Sequence, residues 1–599
     1  MKRYNLFIFK FLNFYILAAA MLLTSCSDFL DIPSRSEIVE EEFWNEKADI
    51  DNIVSGCYAR MQSDDVVTRM IVWGEARSEN IKVGPNIDKD ANLQNVVKEN
   101  ITAKNPYTSW DGFYTVINRC NTVVKNAPKV ASHDPGYTEG EMRATVAEVS
   151  ALRDLCYFYL IRTFRDVPYS TTAYTDDDQY MTLAPTPFEE ILDSLINDLE
   201  IQQSYAMTRY PETKPLYQTG RITKCAIWAM LCEMYLWKGD YDNCIRYADM
   251  VIEDKMNLKR ERSSSAYGGE GNVNTRIGNY PLETDPLGSS SYGSYYRAIF
   301  TDAGSEETIF ELIYDQTNAG RTMLGNSAVG RLYGSDGMSP YLAASDVVTG
   351  DYATTSNRAV YADENYYADG RLYYNVLNSS ATAPIFKYTY NLIMLTGVSS
   401  QTGKASMGYG KHYEYYKQGD TDHYLNSAPW IIYRVPDIML MKAEALCQGL
   451  REGSDENVIA YNAPILEEIF ELVNTINKRA LIQPTSNMTF TLRASKYNTR
   501  ATMDELVMKE RQRELMYEGK RWYDLVRRSM RDGNTNVLCQ AMSNRDGINS
   551  QYVQSFFGNN ATGMNAIFWP YNDEECKVNP NLAEHQNPAF GSGEGNIQK

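Results

Sequence analysis

The chain has 599 residues, with 58 Lys+Arg against 77 Asp+Glu and a formal charge of −19. That acidity argues against a nucleic-acid partner, since phosphate binding needs a basic footprint. Only four His (His133, His412, His423 and His585) are available for metal hydrolysis or His-based triads, while 43% hydrophobic residues are ample for a large core.

Lys2 and Arg3 precede an apolar stretch whose uninterrupted part, Phe14 to Leu23, is ten residues long. A membrane span needs about 20, so the segment reads as a signal peptide. It ends in Leu23-Thr24-Ser25-Cys26, a lipobox pattern that assigns Cys26 as the lipidated first residue of the mature chain. Loss of Lys2, Arg3 and Lys10 takes the charge from −19 to −22. The body is expected to be tethered, not inserted. Nine further Cys form no C-x-x-C and suggest no zinc site. Cys156, Cys225, Cys232 and Cys244 sit in helical apolar patterns as small buried hydrophobes.

Apolar spacing predicts helices over Trp110 to Val124 and Glu141 to Phe164, the second ended by Asp166-Val167-Pro168. Trp110 falls on the apolar face and is therefore assigned to the core. Thr186-Pro187-Phe188-Glu189 reads as a capping box opening an amphipathic helix that runs through Leu199. Between Lys224 and Ile252, two apolar runs flank Trp237-Lys238-Gly239-Asp240, a helix–turn–helix that resembles a tetratricopeptide repeat. Such a pair cannot bury its faces alone, so stacked neighbours are expected. Residues 255–430 are rich in Gly, Ser, Asn and Tyr, and read as long loops grafted on the scaffold. Helices return at Arg434 to Leu446, Leu466 to Arg479, Met503 to Tyr517 (opened by a Thr502-x-x-Glu505 box) and Arg521 to Arg528.

In the run from Glu510 to Arg528, charges of both signs recur at helical spacing, which suits ion pairs that lock helices together. A catalytic reading would pair Glu514 with Glu518 as acid and base one turn apart. Arg511, Arg513 and Arg521 lie close in sequence and would hold both ionised, which favours the structural role.

These residues resemble the signature of the SusD/RagB family. The likeness rests on Glu510-Arg511-Gln512-Arg513-Glu514-Leu515 through Arg527, on Arg434-x-x-Asp437-x-x-Leu440-x-x-Ala443-Glu444-Ala445, and on Asn474-x-x-Asn477-x-Arg479-Ala480. It extends to Trp569-Pro570, Asn579-Pro580 and Gln586-Asn587-Pro588, and to Thr163-Phe164-Arg165-Asp166-Val167-Pro168-Tyr169, where Arg165 stands at a position usually held by Gly. It runs from Cys26 almost to the C-terminus and is weak across 255–430. The resemblance implies a mainly α fold: a tetratricopeptide-like scaffold with a loop-rich region carrying short strands. It implies a lipoprotein of the outer membrane, facing the cell exterior, that binds a glycan and delivers it to a SusC-type TonB-dependent transporter, without cofactor, metal or catalytic dyad. The corresponding divisions are 1–25 (signal peptide), 26–254 (N-terminal helical region), 255–430 (ligand-binding loops) and 431–599 (C-terminal helical region).

Sugar rings have apolar faces that stack on flat aromatic side chains. By position, the ligand-binding candidates are Trp73, Arg77, Asn80 and Tyr107; Tyr292, Tyr295 and Tyr296; and Tyr333 and Tyr341. Tyr409, Tyr413, Tyr415 and Tyr416 form a further cluster. As loop aromatics, Tyr292, Tyr295 and Tyr296 are expected to contribute little to stability. Two other functions fit the same residues: peptide binding by a RagB-like member of the family, and a helical-scaffold glycoside hydrolase with two facing carboxylates.

Overall fold

The computed structural model describes residues 43–176, 179–267, 280–285, 293–314, 325–334, 339–349, 369–376, 385–388, 392–398, 405–410, 428–481, 492–545, 547–558 and 562–590. The signal peptide and Cys26 lie outside these residues. The fold is mainly helical, as the apolar periodicities require. Its principal helices are α1 (Lys47–Met61), α2 (Asp64–Ile71), α3 (Asp111–His133), α4 (Glu139–Phe164), α5 (Phe188–Gln202), α6 (Lys224–Lys238) and α7 (Tyr241–Tyr267). After the middle region come α8 (Ser327–Tyr333), α9 (Val435–Gln448), α10 (Glu456–Ala480), α11 (Arg500–Leu515) and α12 (Arg521–Asp532). α1 packs on α3, α3 on α4, α4 on α5, α5 on α6, α6 on α7, α7 on α9, and α9 on α10 and α11. Each helix thus buries its apolar stripe against its neighbours, and one hydrophobic core runs through the array. No helix of the described residues is long and apolar enough to cross a membrane.

The hairpin expected at Lys224 to Ile252 is α6–α7. Thr223 caps α6, and Gly239 ends it at φ 79 in the left-handed conformation. α7 continues beyond the expected Ile252 to Tyr267. The described cysteines are free, and Cys156, Cys225, Cys232 and Cys244 are buried.

Two helix starts differ from the sequence expectation. α5 begins after Pro187, and its first N–H, on Phe188, donates to Asp166 Oδ1 at 2.9 Å. Thr186 instead pairs with Val167 in a two-residue strand. α11 begins three residues earlier than its pattern suggests. Thr499 accepts from the Thr502 N–H at 3.2 Å, the Thr499 N–H donates back to Thr502 Oγ1, and Glu505 turns outward to Lys509.

The strands come as antiparallel pairs. β1 (Ile81–Val83) pairs with β5 (Leu342–Ala344), and β2 (Val167–Pro168) with β3 (Pro185–Thr186). β4 (Thr308–Leu312) pairs with β8 (Trp430–Arg434), and β6 (Leu392–Val398) with β7 (Ala405–Gly410). The β4–β8 pair is fully buried and feeds directly into α9.

α4 ends at Arg165, whose φ of 72 and ψ of −79 carry the chain through a γ-turn closed by the Asp166 N–H on the Phe164 carbonyl at 3.1 Å. This backbone is strained for any residue with a Cβ, which gives a physical reason for the Gly usual at this position. The Arg165 side chain offers little in return, since its ion pair with Asp166 is 3.8 Å long and half-exposed. Arg165→Gly is therefore expected to stabilise the fold by about 1 kcal/mol, read as a higher urea midpoint at unchanged slope.

Candidate functional site

The charged motifs of the C-terminal half turn inward. Glu514, on the last turn of α11, is buried and meets three guanidinium groups: Arg434 Nη1 at 2.6 Å, Arg371 Nη1 at 2.8 Å, and Arg479. Arg434, at the end of β8, also binds both oxygens of Glu518 at 2.7 and 2.8 Å and Glu307 at 3.0 Å. Lys387 Nζ completes the group on Glu518 and on the backbone carbonyls of Glu514 and Met516. Burial opposes ionisation of Glu514, but Arg479, Arg434 and Arg371 outweigh it and hold the carboxyl well below the ordinary range. Glu514 and Glu518 thus share Arg434 as acceptors, which supports the structural reading of the pair over the acid/base one.

A second lattice lies alongside. Arg511 bridges Asp437 and Asp524, and Arg527 bridges Asp524 and Glu444. Burial works against both Asp437 and Glu444, yet Lys520 and Arg511 hold the first at about 2, and Arg527 and Arg531 hold the second at about 2. The repeated Arg and Glu of the signature therefore join α9, α11, α12 and β8 into one unit.

The candidate ligand residues fall into two groups, buried and half-exposed. Trp73 is fully buried, stacks on Phe113 with centroids 5.0 Å apart, and donates its indole N–H to the Tyr107 carbonyl at 2.8 Å. Arg77 is fully buried in a salt bridge with Glu99 at 2.8 Å and lies 4.2 Å from the Trp522 ring. Asn80 is fully buried between Glu75 and Gln512. Tyr295 is buried against Tyr296, Tyr374 and the Arg479 guanidinium. Tyr333 is buried and donates to the Tyr517 carbonyl at 3.0 Å. These five offer no ring face or polar group to a ligand, and their expected role in direct binding is corrected to support of the scaffold. Tyr296 is half-buried, but its ring packs on Phe300 and Tyr374 and its hydroxyl is taken by Asn375. Tyr292, Tyr413, Tyr415 and Tyr416 lie outside the described residues, and only the backbone of Tyr409, in β7, is described.

Tyr107 and Tyr341 remain, and the fold brings their two segments together. β1 pairs with β5 in the register Ile81↔Ala344 and Val83↔Leu342. The pairing continues as the Gly84 N–H donates to the Tyr341 carbonyl at 2.8 Å and the Asn86 N–H to the Pro340 carbonyl at 3.1 Å. Arg331 on α8 interacts electrostatically with both phenols, and is fixed by both oxygens of Asp64 at 3.1 and 2.9 Å and by Thr68 at 2.7 Å. Tyr107 sits on a short turn held by Asn105 and by Arg69, which donates to the Ser109 carbonyl, and its hydroxyl donates to Asp90 at 2.6 Å. Burial and then Asp90 push the Tyr107 phenol well above its usual value, so it stays a neutral donor. Tyr107 and Tyr341 are thus both half-buried and both within electrostatic range of one oriented guanidinium, with Asp64 on Arg331, Asp90 on the Tyr107 hydroxyl and Asn86 on the Ser339 carbonyl. Sequence reading missed Arg331, Asp64 and Asp90. Arg331 could have been found from its place two residues before the Tyr333 to Tyr341 cluster, whereas Asp64 carries no local signal.

Comparison with known proteins bears on this geometry. A model described as "SusD family" matches residues 282–590, just over half the chain, and one described as "Starch-binding associating with outer membrane" matches residues 28–236. SusD-like protein P38 of Formosa agariphila is 23% identical over 90% of this chain and 94% of its own length. A SusD homolog from Bacteroides thetaiotaomicron superposes with a TM-score of 0.62 at 15% identity, covering 92% of this chain and 99% of that one. A structure described as a laminarin binding SusD-like protein superposes with a TM-score of 0.56 at 16% identity, over 91% of this chain and 100% of that one.

Proposed function

The chain belongs to the SusD family, and from that premise we propose that it is an outer-membrane binding protein, anchored through lipidated Cys26, which holds an oligosaccharide against Tyr107 and Tyr341 and passes it to a SusC-type TonB-dependent transporter. The observation that supports this most is the β1–β5 pairing, which joins the segments of two half-buried Tyr, both within electrostatic range of Arg331. A sugar ring would stack on the phenol faces while Arg331, Asp90 and Asn86 bond its hydroxyls. The matching family model described as starch-binding and the structural neighbour described as laminarin binding fit such a ligand.

The expected affinity is modest. Each stack contributes about 0.5–1.5 kcal/mol beyond area burial. After the costs of association, two stacks with a few hydrogen bonds give a Kd in the micromolar to millimolar range, about −4 to −8 kcal/mol. Such weakness suits a protein that must release its cargo. Binding without turnover is the test: affinity electrophoresis against maltodextrin, laminarin and peptide mixtures, with a reducing-sugar assay in parallel. Retardation by a glycan with no sugar released supports the reading. Retention of peptide alone, or released sugar, overturns it in favour of a RagB-like role or a hydrolase. Cys26→Ala is expected to move the protein out of the membrane fraction or leave it as precursor, and unchanged fractionation would reject the anchor.

A further inference from the structure

The two halves of the ligand face rest on one buried turn. Tyr107 hangs from the Trp73 indole through its carbonyl. Trp73 itself belongs to a single π-helical turn, Val72–Ala76, between α2 and β1. On the other side, Tyr333 ends α8, the helix that carries Arg331, and its hydroxyl donates to the Tyr517 carbonyl. Tyr517 is held at φ 68, a conformation unusual for a residue with a side chain. The π turn presses directly on this segment: a Cβ added at Gly74 would lie 1.9 Å from the Gly519 carbonyl oxygen.

Glu75 occupies the junction. It is fully buried, and the Tyr517 backbone N–H favours its ionised form. Its Oε1 accepts from Asn80 Nδ2 at 2.9 Å and from Ser78 Oγ at 3.4 Å, whereas Oε2 has no hydrogen-bond partner. The π turn therefore meets the Tyr517–Gly519 segment from the Tyr107 half, while Tyr333 grips the same segment from the Arg331 half. A π turn, a left-handed Tyr and a half-bonded buried carboxyl coincide at one point of the scaffold. Strain of this kind is commonly retained where function needs it.

Resting on the glycan-binding reading, we propose that Glu75 is a positioning residue for the ligand face: its carboxyl group sets the spacing between the Tyr107 and Arg331–Tyr341 halves and makes ligand affinity depend on pH. The groups that face it are Glu79 on its own segment, Lys387, Arg521, and the phenols of Tyr333 and Tyr388. Burial raises Glu75 to about 7, and Glu79 adds to the rise, while Asn80, the Tyr517 N–H and Lys387 oppose it. A raised folded-state value means that the packed arrangement is favoured with Glu75 protonated, and that this contribution is lost as pH rises through about 7. Above that, a buried anion with one unbonded oxygen favours an opened, hydrated junction, and the two halves loosen.

The experiment uses the full chain, with laminarin and maltoheptaose as probes and Glu75→Gln as the variant, because Gln keeps the acceptor for Asn80 Nδ2 and cannot ionise. Wild-type Kd is expected to rise on the order of threefold between about pH 5.5 and 8.5 while the Gln variant stays flat. Parallel profiles in the two proteins would overturn the proposal. A merely structural role would shift stability without separating these profiles. If neither probe binds at any pH, the glycan reading fails independently. Hydrogen exchange over 101–110 and 327–344 then decides the Glu75 link. Protection lost at high pH in the wild type but not in Glu75→Gln supports it, and equal behaviour rejects it. If the Gln variant does not fold, the wild-type profile decides, and a flat one overturns the proposal.

Discussion

Glu514→Ala is expected to destabilise the protein by roughly 3–5 kcal/mol, the typical cost of removing one partner from a buried ion pair. The penalty comes less from lost attraction than from what remains. Arg434, Arg371 and Arg479 are all buried and converge on this carboxylate, so its removal takes a partner from three guanidinium groups, which are left sharing the remaining Glu518, Glu307, Glu510 and Asp369 in a medium that solvates positive charge poorly. Urea unfolding followed by far-UV circular dichroism measures the loss. The control is Glu505→Ala, which breaks only the exposed pair with Lys509 and is expected to cost no more than about 0.5 kcal/mol. If the two variants unfold alike, the lattice does not hold α11 to β8. The same lattice makes the fold acid-sensitive. Burial raises and the Arg partners more strongly lower the carboxyls of Glu510 and Glu514, so both lie below the ordinary value when folded. Their contribution is present above about pH 4.3, the unfolded value, and is lost as pH falls through the lowered folded values.

Tyr295→Ala carries the second large effect, about 3–5 kcal/mol by analogy with the loss of other buried aromatics. Its ring is 4% exposed and packs edge-on against Tyr296 and Tyr374, with the Arg479 guanidinium 5.1 Å from its centroid. Truncation would open a cavity beside the charge lattice and strip a neighbour from one of its arginines. For Tyr295 this reverses the expectation that the loop aromatics Tyr292, Tyr295 and Tyr296 contribute little to stability. A melting temperature within a degree or two of wild type for Tyr295→Ala would show that the ring is not part of the core.

Where helices were legible in the sequence, the cause was periodic: α4, α5 and the α6–α7 hairpin each show an apolar stripe that only a helix can bury. Their exact starts were less legible, because a Thr-x-x-Glu pattern does not reveal a competing partner. Asp166 caps α5 from 22 residues away, and Thr499 captures the start of α11 before Thr502 can. The signature run from Glu510 to Arg528 announced ion pairs through its alternating charges, yet several of its partners, Arg371, Lys387 and Glu79, come from segments that no local pattern links to it. The ligand face was the least legible. Tyr is equally suited to a core and to a sugar-stacking surface, so composition could not separate Tyr295, which is packed, from Tyr341, which is half-exposed. What separates them is the β1–β5 pairing and the salt bridge of Arg331 with Asp64, both of which join residues more than 250 positions apart.

Glycan titration of Tyr107→Ala/Tyr341→Ala tests the central claim most directly. Both substitutions remove rings while keeping the backbone bonds that hold the two segments, the Trp73 indole on the Tyr107 carbonyl and the Gly84 N–H on the Tyr341 carbonyl. By isothermal titration with a glycan that the wild type binds, the double variant is expected to lose affinity at least about tenfold, or 1.4 kcal/mol, with the cooperative melt retained. A cooperatively folded double variant that binds the glycan as tightly as the wild type would contradict it.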